Sequence, residues 1–473
     1  MSGDSSATRK MGNDKKTIQE VLSLFRPRDR LAVPLATGQP MGLLSALSDR
    51  TDWERLEIFT GLLAFPYPIL QNPNIYVTSG YYGPIERFLN EQGAHVDYLP
   101  ADFAGFEIIE KRKPSRIVAT TVSPPDAEGY LTFGTHGAAV DVPFRLACLD
   151  KNRIGIAQIN PTMPVVYGSP EHGDNKIHIE EVDVVFESEQ AQIEVSSPDT
   201  PNTKAVEKKI AENVLNLIRG GETLQFGIGG IPDHIAGRLA EGTLGDFGIH
   251  SELVSDGFLK LWEAGKISNR NKGIFDGQSV FTFALGSQSL YDFLDERKGR
   301  NGRKVTCLPV SVVNSPYVIS KNRNLMSINA GLLVDFAGQV CSEAIGLKQY
   351  SGVGGQLSFV QGAYESEGGK SVICIKSTAM VEGKKVSNIV SKLPAGSLVS
   401  TPRHYVQYVV TEYGIADLYG VPDELRAEKL IAVAHPDFRD ELNARAEEIN
   451  REFYKRSDSF KRLPVSTRYN GEQ

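Results

Sequence analysis

Short β-rich runs alternate with stretches of helical periodicity along nearly the whole chain, and this alternation limits the fold more than any other feature. Strands that alternate with helices form parallel sheets whose faces are covered by those helices. The predicted strands are residues 116–122, 153–159, 182–187, 224–227, 305–313, 371–375 and 430–434. The predicted helices are residues 17–25, 42–47, 203–217, 235–240 and 439–454. The sequence therefore predicts an α/β fold with mainly parallel sheets.

The chain has 473 residues, which is more than one ordinary α/β core holds, so we expect two domains. A polar segment with two prolines, residues 194–203, has the composition of a linker. The predicted order is a disordered leader over residues 1–16, an α/β domain over 17–193, the linker over 194–203, an α/β domain over 204–455 and a polar tail over 456–473.

A weak internal echo accompanies this division. Residues 35–40 (Leu-Ala-Thr-Gly-Gln-Pro) and 227–232 (Gly-Ile-Gly-Gly-Ile-Pro) each place glycine two residues before a proline that opens an apolar helical pattern. Proline suits the first turn of a helix, so both segments predict a helix start. The echo alone leaves duplication of one α/β unit and coincidence equally open.

Composition excludes several classes of function. The net charge of −7 disfavours a nucleic-acid partner, and no apolar run approaches the ~20 residues that a membrane helix needs. The four cysteines form no C-x-x-C pair, which predicts free thiols in a reducing compartment. The eight histidines show no metal-ligand spacing, so we expect no metal site. We expect a cytoplasmic protein, with the mitochondrial matrix as the alternative for a eukaryotic chain.

One glycine-rich motif, residues 227–233 (Gly-Ile-Gly-Gly-Ile-Pro-Asp), follows a predicted strand and opens a predicted helix. Backbone N–H groups at such a helix start can approach an anion, so a phosphate-bearing ligand is one interpretation. The other is an ordinary strand-to-helix turn. Pro232 stands where the dinucleotide fingerprint requires glycine, which weighs against a nicotinamide cofactor.

A second glycine cluster spans residues 351–359 (Ser-Gly-Val-Gly-Gly-Gln-Leu-Ser-Phe). Three glycines in four residues disfavour the interior of a helix or strand. They suit a loop whose backbone approaches a ligand or donates N–H groups to an oxyanion. A flexible surface turn is the alternative, but Val353, Leu357 and Phe359 favour a packed loop.

Glu252 is a candidate nucleophile, although a glutamate in such a position is more often a solvated side chain or a helix cap. No Gly-x-Ser-x-Gly elbow occurs, no cysteine has an activating histidine nearby in sequence, and no Walker loop is present. Glu252 lies in residues 250–257 (His-Ser-Glu-Leu-Val-Ser-Asp-Gly), one α/β unit after the first glycine motif. Composition alone makes Glu343, in Cys-Ser-Glu-Ala, an equally plausible nucleophile.

Taken together, these motifs resemble the acetyl-CoA hydrolase/transferase family, from about Leu31 to His435. The matching segments are residues 122–130, 227–233, 250–257, 327–330, 349–359 and 410–414. They are closer to the 4-hydroxybutyrate, butyrate and acetate CoA-transferases than to the succinyl-CoA:acetate branch. The resemblance implies two similar open α/β domains with the active site between them.

The resemblance also implies roles for individual residues. Glu252 would be the nucleophile, Asn314 would lie near the acyl group, and the backbone N–H groups of Ile231 and Gly355 would stabilise the oxyanion. The residues that would bind CoA are Gly227, Ile228, Gly229, Gly230, Ile231, Ser351, Gly352, Gly354, Gly355 and Met380. Below, residues 227–231 are the first glycine loop and residues 351–355 the second glycine loop.

Three positions depart from the family pattern. Met380 replaces a lysine that meets CoA in some members, a contact that Lys376 or Lys384 could supply instead. His234 stands where alanine is usual, and Gln361 replaces a frequent arginine.

The function implied is CoA transfer between a short-chain acyl-CoA and a free carboxylic acid, such as acetate, butyrate, 4-hydroxybutyrate or succinate, through a glutamyl-CoA thioester. No tightly bound cofactor is expected, because the CoA thioester is itself a substrate. The expected partners are acyl-CoA, small carboxylic acids and a second copy of the chain in a homodimer. Two alternatives remain: an acyl-CoA hydrolase, and a CoA-binding protein without catalysis.

Overall fold

The computed structural model describes residues 15–137, 141–194, 201–299 and 304–453. Residues 1–14 of the predicted leader, residues 195–200 of the predicted linker and the predicted tail at 456–473 lie outside the described residues. No helix within the described ranges is long and apolar enough to cross a bilayer.

The N-terminal unit is taken as the described residues up to 194, and it is built on one seven-stranded sheet. The strands of this unit are β1 Arg28–Ala32, β2 Arg55–Thr60, β3 Ile75–Ser79, β4 His95–Tyr98, β5 Ile117–Val122, β6 Tyr130–Thr132, β7 Ile154–Ile159, β8 Lys176–His178 and β9 Val184–Glu187. Strands β6 and β8 pair with each other in a separate two-stranded sheet, and the other seven form the main sheet. The sheet order is β4-β3-β2-β1-β5-β7-β9, and every pairing in it is parallel. All six residues of β5 are buried, as expected for a parallel strand covered on both faces.

The C-terminal unit is taken as the described residues from 201 onward, and it is built on an eight-stranded sheet. Its main strands are β10 Thr223–Phe226, β11 Gly248–Val254, β12 Gln278–Ala284, β13 Lys304–Cys307, β14 Leu325–Ala330, β19 Lys370–Cys374, β23 Tyr408–Thr411 and β24 Gly414–Asp417. Short strands between them are β15 Leu333–Asp335, β16 Val340–Cys341, β17 Ala344–Ile345, β18 Lys348–Gln349, β20 Thr378–Val381, β21 Lys384–Ser387 and β22 Ile389–Val390. The order is β13-β12-β11-β10-β14-β19-β23-β24, and only the β23–β24 pairing in this sheet is antiparallel.

Helices connect most of these strands. They are α1 Ile18–Leu22, α2 Met41–Ala46, α3 Pro84–Glu91, α4 Phe103–Arg112, α5 Asp141–Leu149, α6 Pro201–Leu215, α7 Gly230–Glu241, α8 Asp256–Glu263, α9 Gln288–Leu294, α10 Val310–Val313, α11 Pro316–Ile319, α12 Gln356–Glu365, α13 Asp423–Ala432 and α14 Pro436–Phe453. The predicted α/β fold with mainly parallel sheets is confirmed.

Both sheets follow the same path. In each sheet the first four strands lie side by side in chain order. The next strand of the sheet then pairs with the free edge of the first strand, so that β5 lies beside β1 and β14 lies beside β10. The chain therefore repeats one α/β topology twice, which favours duplication over coincidence for the weak sequence echo. In both copies the echoed proline lies at a helix start, because Pro40 precedes α2 and Pro232 is in the first turn of α7.

Three sequence predictions were wrong at the level of single elements. Residues 430–434 were predicted as a strand, but 430–432 end helix α13, because a short apolar run fits a buried helix as well as a strand. The strand predicted over 305–313 stops at Cys307, since Pro309 begins the helical turn α10. The second glycine cluster was predicted as a loop to residue 359, yet α12 begins directly after its last glycine.

The two units meet through a shared apolar cluster. It joins Leu35, Ala36, Phe103 and Phe106 of the N-terminal unit to Leu253, Phe283, Leu285 and Val310 of the C-terminal unit. Leu253 directly follows Glu252 on β11. The packing between the units therefore fixes the surroundings of the predicted nucleophile.

Candidate active site

The site lies where the second sheet reverses its strand order. β10 lies between β11 and β14. The chain leaves β10 toward one edge of the sheet, where β11 follows, and leaves β14 toward the opposite edge, where β19 follows. Ligands of open α/β sheets bind at the carboxyl ends of the strands at such a point. The first glycine loop follows the carboxyl end of β10, and Glu252 lies on the neighbouring strand β11.

Glu252 lies near the carboxyl end of β11, in a partly buried position between buried neighbours. Its Oε2 accepts a hydrogen bond of 2.5 Å from Nδ2 of Asn314. Burial raises the pKa of Glu252 to about 7; the bond from Asn314 opposes this rise, and the negative charge of Asp102 adds to it. The site thus holds a carboxylate that ionises near neutral pH.

Asn314 is held by the helical turn that precedes it. It follows α10, and its backbone N–H donates to the carbonyl of Val310 at 2.9 Å. The amide is buried, and its Oδ1 has no hydrogen-bond partner among the described residues. The NH₂ group is therefore committed to Glu252, and the amide oxygen faces away from any protein donor in the described part of the chain.

Gly355 lies directly beside both of these side chains. A Cβ atom at this position would lie 2.0 Å from Oε2 of Glu252 and 2.6 Å from Nδ2 of Asn314, so any other residue would displace both side chains. Gly355 is the N-cap of α12, where helix N–H groups point outward without partners. Glu252, Asn314 and Gly355 are hereafter the Glu252 cluster.

The second glycine loop rests on the N-terminal unit. Ser351 Oγ donates to Tyr81 Oη at 3.0 Å, and the backbone N–H of Val353 donates to Tyr98 Oη at 3.3 Å. Gly354, whose φ of +54° favours glycine, pairs through its backbone with Asp102. The site is therefore assembled from both units, as the family resemblance implies.

Sequence reasoning missed the residues that the N-terminal unit contributes, which are Tyr81, Tyr98 and Asp102. One signal was available: residues 79–84 (Ser-Gly-Tyr-Tyr-Gly-Pro) form a glycine-rich turn between β3 and α3, much like the first glycine loop. Burial raises the pKa of the Tyr81 hydroxyl, and the nearby charge of Glu252 contributes to this rise. Tyr81 therefore stays neutral and lies within electrostatic reach of Glu252.

The first glycine loop leaves space around its backbone. Cβ atoms added at Gly227 and Gly229 would meet nothing within 4 Å, and Gly229 has a φ of +126°. Helix α7 begins at Gly230, and its Asp233 N–H already bonds the carbonyl of Gly229 at 3.1 Å. Ile231 lies before that first donor, in the turn whose N–H groups are available to an anion.

Met380 and its alternative Lys376 are the remaining predicted CoA contacts. Lys376 Nζ pairs at 2.7 Å with Glu207, and a Cβ at Gly230 would lie 1.9 Å from the second oxygen of that carboxylate. Lys376 is thus adjacent to the first glycine loop. Met380 lies on the β20–β21 hairpin, opposite Lys385, and its side chain is 68% exposed.

Glu343, the alternative nucleophile, is buried, and both of its carboxylate oxygens accept hydrogen bonds. Its Oε1 accepts a hydrogen bond from Ser400 Oγ at 2.8 Å, and its Oε2 accepts one from Tyr98 Oη at 3.0 Å. Its backbone carbonyl also accepts from the N–H groups of Tyr350 and Ser351. These contacts hold the start of the second glycine loop in place and leave neither carboxylate oxygen of Glu343 without a partner. Glu252 is therefore the better candidate nucleophile.

Histidine, cysteine and acidic side chains do not gather into groups of three that could hold a metal ion anywhere in the described part of the chain. Three of the four cysteines are buried and Cys148 is half-buried, and all four are free thiols.

Comparison with known proteins places this geometry in context. The family described as acetyl-CoA hydrolase/transferase C-terminal domain matches residues 286–446. The 4-hydroxybutyrate coenzyme A transferase of Clostridium kluyveri is 38% identical over 440 residues, which cover 90% of this chain and 95% of that protein. The succinyl-CoA:cyclohexane-1-carboxylate CoA transferase of Geobacter metallireducens is 36% identical, over 91% of this chain and 94% of that protein. The crystal structure of RipA from Yersinia pestis aligns with a TM-score of 0.81 and 33% identity, covering 92% of this chain and 97% of that one.

Proposed function

This chain belongs to the acetyl-CoA hydrolase/transferase family, and we propose that it moves CoA between a short-chain acyl-CoA and a free carboxylic acid through a thioester at Glu252. The observation that carries the proposal is the Glu252 cluster. It combines a carboxylate, an amide donor bonded to that carboxylate and a glycine that leaves room beside both.

The chemistry needs a carboxylate because it forms an anhydride and then a thioester with the enzyme, so the energy of the thioester is conserved while CoA passes between two acids. A carboxylate oxygen of Glu252 attacks the acyl-CoA carbonyl, the C–S bond breaks, and CoA leaves as the thiolate while an acyl-glutamyl anhydride forms. The thiolate then attacks the glutamyl carbonyl and releases the first acid as its carboxylate. The product is a glutamyl-CoA thioester, and no net proton is taken up.

The acceptor acid then reverses the sequence. Its carboxylate attacks the glutamyl thioester and expels CoA thiolate, which attacks the acceptor's carbonyl in the new anhydride. That step releases a new acyl-CoA and restores the Glu252 carboxylate. Each attack places negative charge on an oxygen, and we assign its stabilisation to the backbone N–H groups of Ile231 and Gly355.

CoA itself is assigned to the two glycine loops. The first supplies backbone N–H groups at the start of α7, where the helix dipole favours phosphate. The second brings Ser351, Gly352 and Gly354 to the boundary between the units. Lys376 is better placed than Met380 to meet an anion, because it lies beside the first loop while Met380 has no charge. The contact at Met380 stays a prediction.

The surroundings of Glu252 favour an apolar acyl group. Leu253, Phe283 and Phe103 belong to the cluster that joins the two units beside the nucleophile. Relatives are named for 4-hydroxybutyrate and for transfer from succinyl-CoA to cyclohexane-1-carboxylate. We therefore propose acetate, butyrate, 4-hydroxybutyrate and succinate as the acids to test, with preference for those that carry the more apolar acyl group. The homodimer, the cytoplasmic location and the lack of a tightly bound cofactor stay predictions.

An exchange assay tests the proposal. Purified protein is incubated with butyryl-CoA and acetate, and acetyl-CoA, butyryl-CoA and free CoA are quantified by chromatography. Transfer predicts that acetyl-CoA appears as butyryl-CoA disappears, with parallel lines in double-reciprocal plots. Release of free CoA without acetyl-CoA would show a hydrolase instead. Absence of either product with every acid tested would revive a CoA-binding protein without catalysis.

A further inference from the structure

We infer that His250 is a positioning residue, which fixes Asn314 against Glu252 by holding the backbone that carries it. The inference rests on the proposed function, because its effect is read through CoA transfer. It concerns a residue to which the reaction chemistry assigns no step.

The contact that carries the inference is a single buried hydrogen bond. Nε2 of His250 lies 2.8 Å from the carbonyl oxygen of Val313, which directly precedes Asn314. A carbonyl can only accept, so Nε2 carries the proton and donates it. His250 and Glu252 are two residues apart on β11 and therefore point to the same side of the strand. The same strand thus holds the nucleophile and anchors the segment that bears its hydrogen-bond donor.

The turn that bears Asn314 is short and needs such an anchor. α10 has only four residues, and Asn314 follows it with a φ of −93° and a ψ of 8°. The N–H of Asn314 is bonded to the carbonyl of Val310 at 2.9 Å, and the histidine bond to the Val313 carbonyl fixes the other end of that same peptide group. Because the side chain of Asn314 reaches Glu252 at 2.5 Å, a small shift of this turn would weaken that bond.

The environment of His250 keeps it neutral. The ring is fully buried and lies near the rings of Phe275 and Phe359, with centroids 6.0 and 6.1 Å away. Burial and, to a smaller extent, the nearby charge of Lys272 lower the pKa of His250 to about 3, and the hydrogen bond to Val313 opposes them only in part. Nδ1 has no hydrogen-bond partner in the described part of the chain. His250 therefore stays uncharged over the working pH range. It donates one hydrogen bond and adds no charge of its own near Glu252.

A histidine that merely fills the core is the competing explanation, and it makes a different prediction. If His250 acts through Asn314, the effects of the two side chains on transfer are not independent. Removing His250 should then cost little more once Asn314 has lost its amide. A core histidine would instead lower stability while its effect on transfer added to that of any other change.

The test is a double-mutant cycle with His250→Phe, Asn314→Ala and the combined variant, measured by butyryl-CoA:acetate exchange. We expect His250→Phe to lower kcat roughly three- to tenfold, the worth of one neutral hydrogen bond, with the KM for acyl-CoA changed less than twofold. The combined variant should be no slower than Asn314→Ala alone. The apparent pKa in the kcat/KM profile should rise in His250→Phe, because Asn314 then stabilises the ionised Glu252 less well.

His136 supplies a matched control. It is also fully buried, its Nε2 donates to the carbonyl of Thr121 at 3.0 Å, and its Nδ1 is unpartnered in the described residues. His136→Phe should lower thermal stability and leave the pH profile unchanged.

His250→Gln is a second variant at the same position. Glutamine can place an N–H donor near the position of Nε2, so this variant should restore much of the lost rate. It also takes the place of His250→Phe if the phenylalanine protein does not fold.

Two outcomes overturn the inference: additive losses in the double-mutant cycle, or a His250→Gln protein no faster than His250→Phe. Failure of the proposed function looks different. If Glu252→Gln and Asn314→Ala both exchange at the wild-type rate, the site itself is wrongly assigned.

Discussion

Asn314 donates its side-chain N–H to Oε2 of Glu252 over 2.5 Å, and the two residues lie 62 positions apart in the chain. A donor to a carboxylate favours the ionised form, which is the nucleophilic form. This contact opposes the burial that raises the pKa of Glu252 to about 7.

Replacement of Asn314 by alanine should therefore raise the pKa of Glu252 and slow transfer. A hydrogen bond to a charged group is worth about 1.5–3 kcal/mol, so we expect a loss of about 10- to 100-fold in kcat/KM. The loss should be larger at pH 6 than at pH 9, because the variant carboxylate is more often protonated at pH 6. Asn322→Ala removes a buried side-chain amide whose hydrogen bonds to the described residues go to the carbonyls of Val318 and Ile319, so its pH profile should match the wild type.

Asp102 should act in the opposite direction. Its negative charge raises the pKa of Glu252, so Asp102→Asn should lower that pKa and extend activity to more acidic pH. Asparagine is as good an N-cap as aspartate, so the bond to the Gly105 N–H at the start of α4 is retained. Asp126→Asn, an exposed aspartate that also caps a local turn, is the control. An acid limb that does not move toward lower pH in Asp102→Asn would contradict the assigned electrostatics.

Gly355→Ala should remove transfer without unfolding the protein. The added Cβ would lie 2.0 Å from Oε2 of Glu252, and misplacement of reacting groups by about 1 Å costs about 100-fold in rate. Gly237→Ala is the matched change, since nothing lies within 4 Å of its Cβ position in α7. It should gain about 0.5–1 kcal/mol of stability and keep full activity. Wild-type kcat in Gly355→Ala, measured beside its melting temperature, would refute the role of this glycine.

Glu252 should also destabilise the fold above neutral pH. An unfolded glutamate loses its proton near pH 4.5, whereas the folded carboxyl keeps its proton until about pH 7. Between those values the folded state binds more protons, so stability falls as pH rises and the penalty is complete above pH 7. A glutamine side chain never ionises, so Glu252→Gln should unfold at nearly the wild-type temperature at pH 4.5. The variant should be more stable than the wild type by roughly 3 kcal/mol at pH 8, an excess that urea unfolding at the two pH values measures.

Local patterns predicted the parts of the site that depend on neighbouring residues. The strand at 224–227 and the helix over 235–240 bracket the first glycine loop because strand, glycine turn and proline-opened helix are all local signals. The same logic failed at residues 430–434, where a five-residue apolar run carries no period that separates helix from strand.

Contacts between the units could not be read from local pattern. Ser351 and Tyr81 are 270 residues apart, and Val353 and Tyr98 are 255 apart, so only the folded chain brings them together. No strand was predicted around Glu252, because the polar residues of His250-Ser251-Glu252 interrupt the apolar pattern of β11. The family resemblance, and not periodicity, pointed to the nucleophile.

Direct trapping of the covalent intermediate tests the central claim most sharply. The protein is treated with acyl-CoA and then with borohydride, which reduces thioesters to alcohols and spares free carboxylates, and its peptides are analysed by mass spectrometry. We predict loss of activity only when acyl-CoA precedes borohydride, protection by prior addition of the acceptor acid, and a reduced side chain at Glu252 within residues 249–260. Inactivation that does not depend on acyl-CoA, or a reduced residue elsewhere in the chain, would contradict a thioester at Glu252.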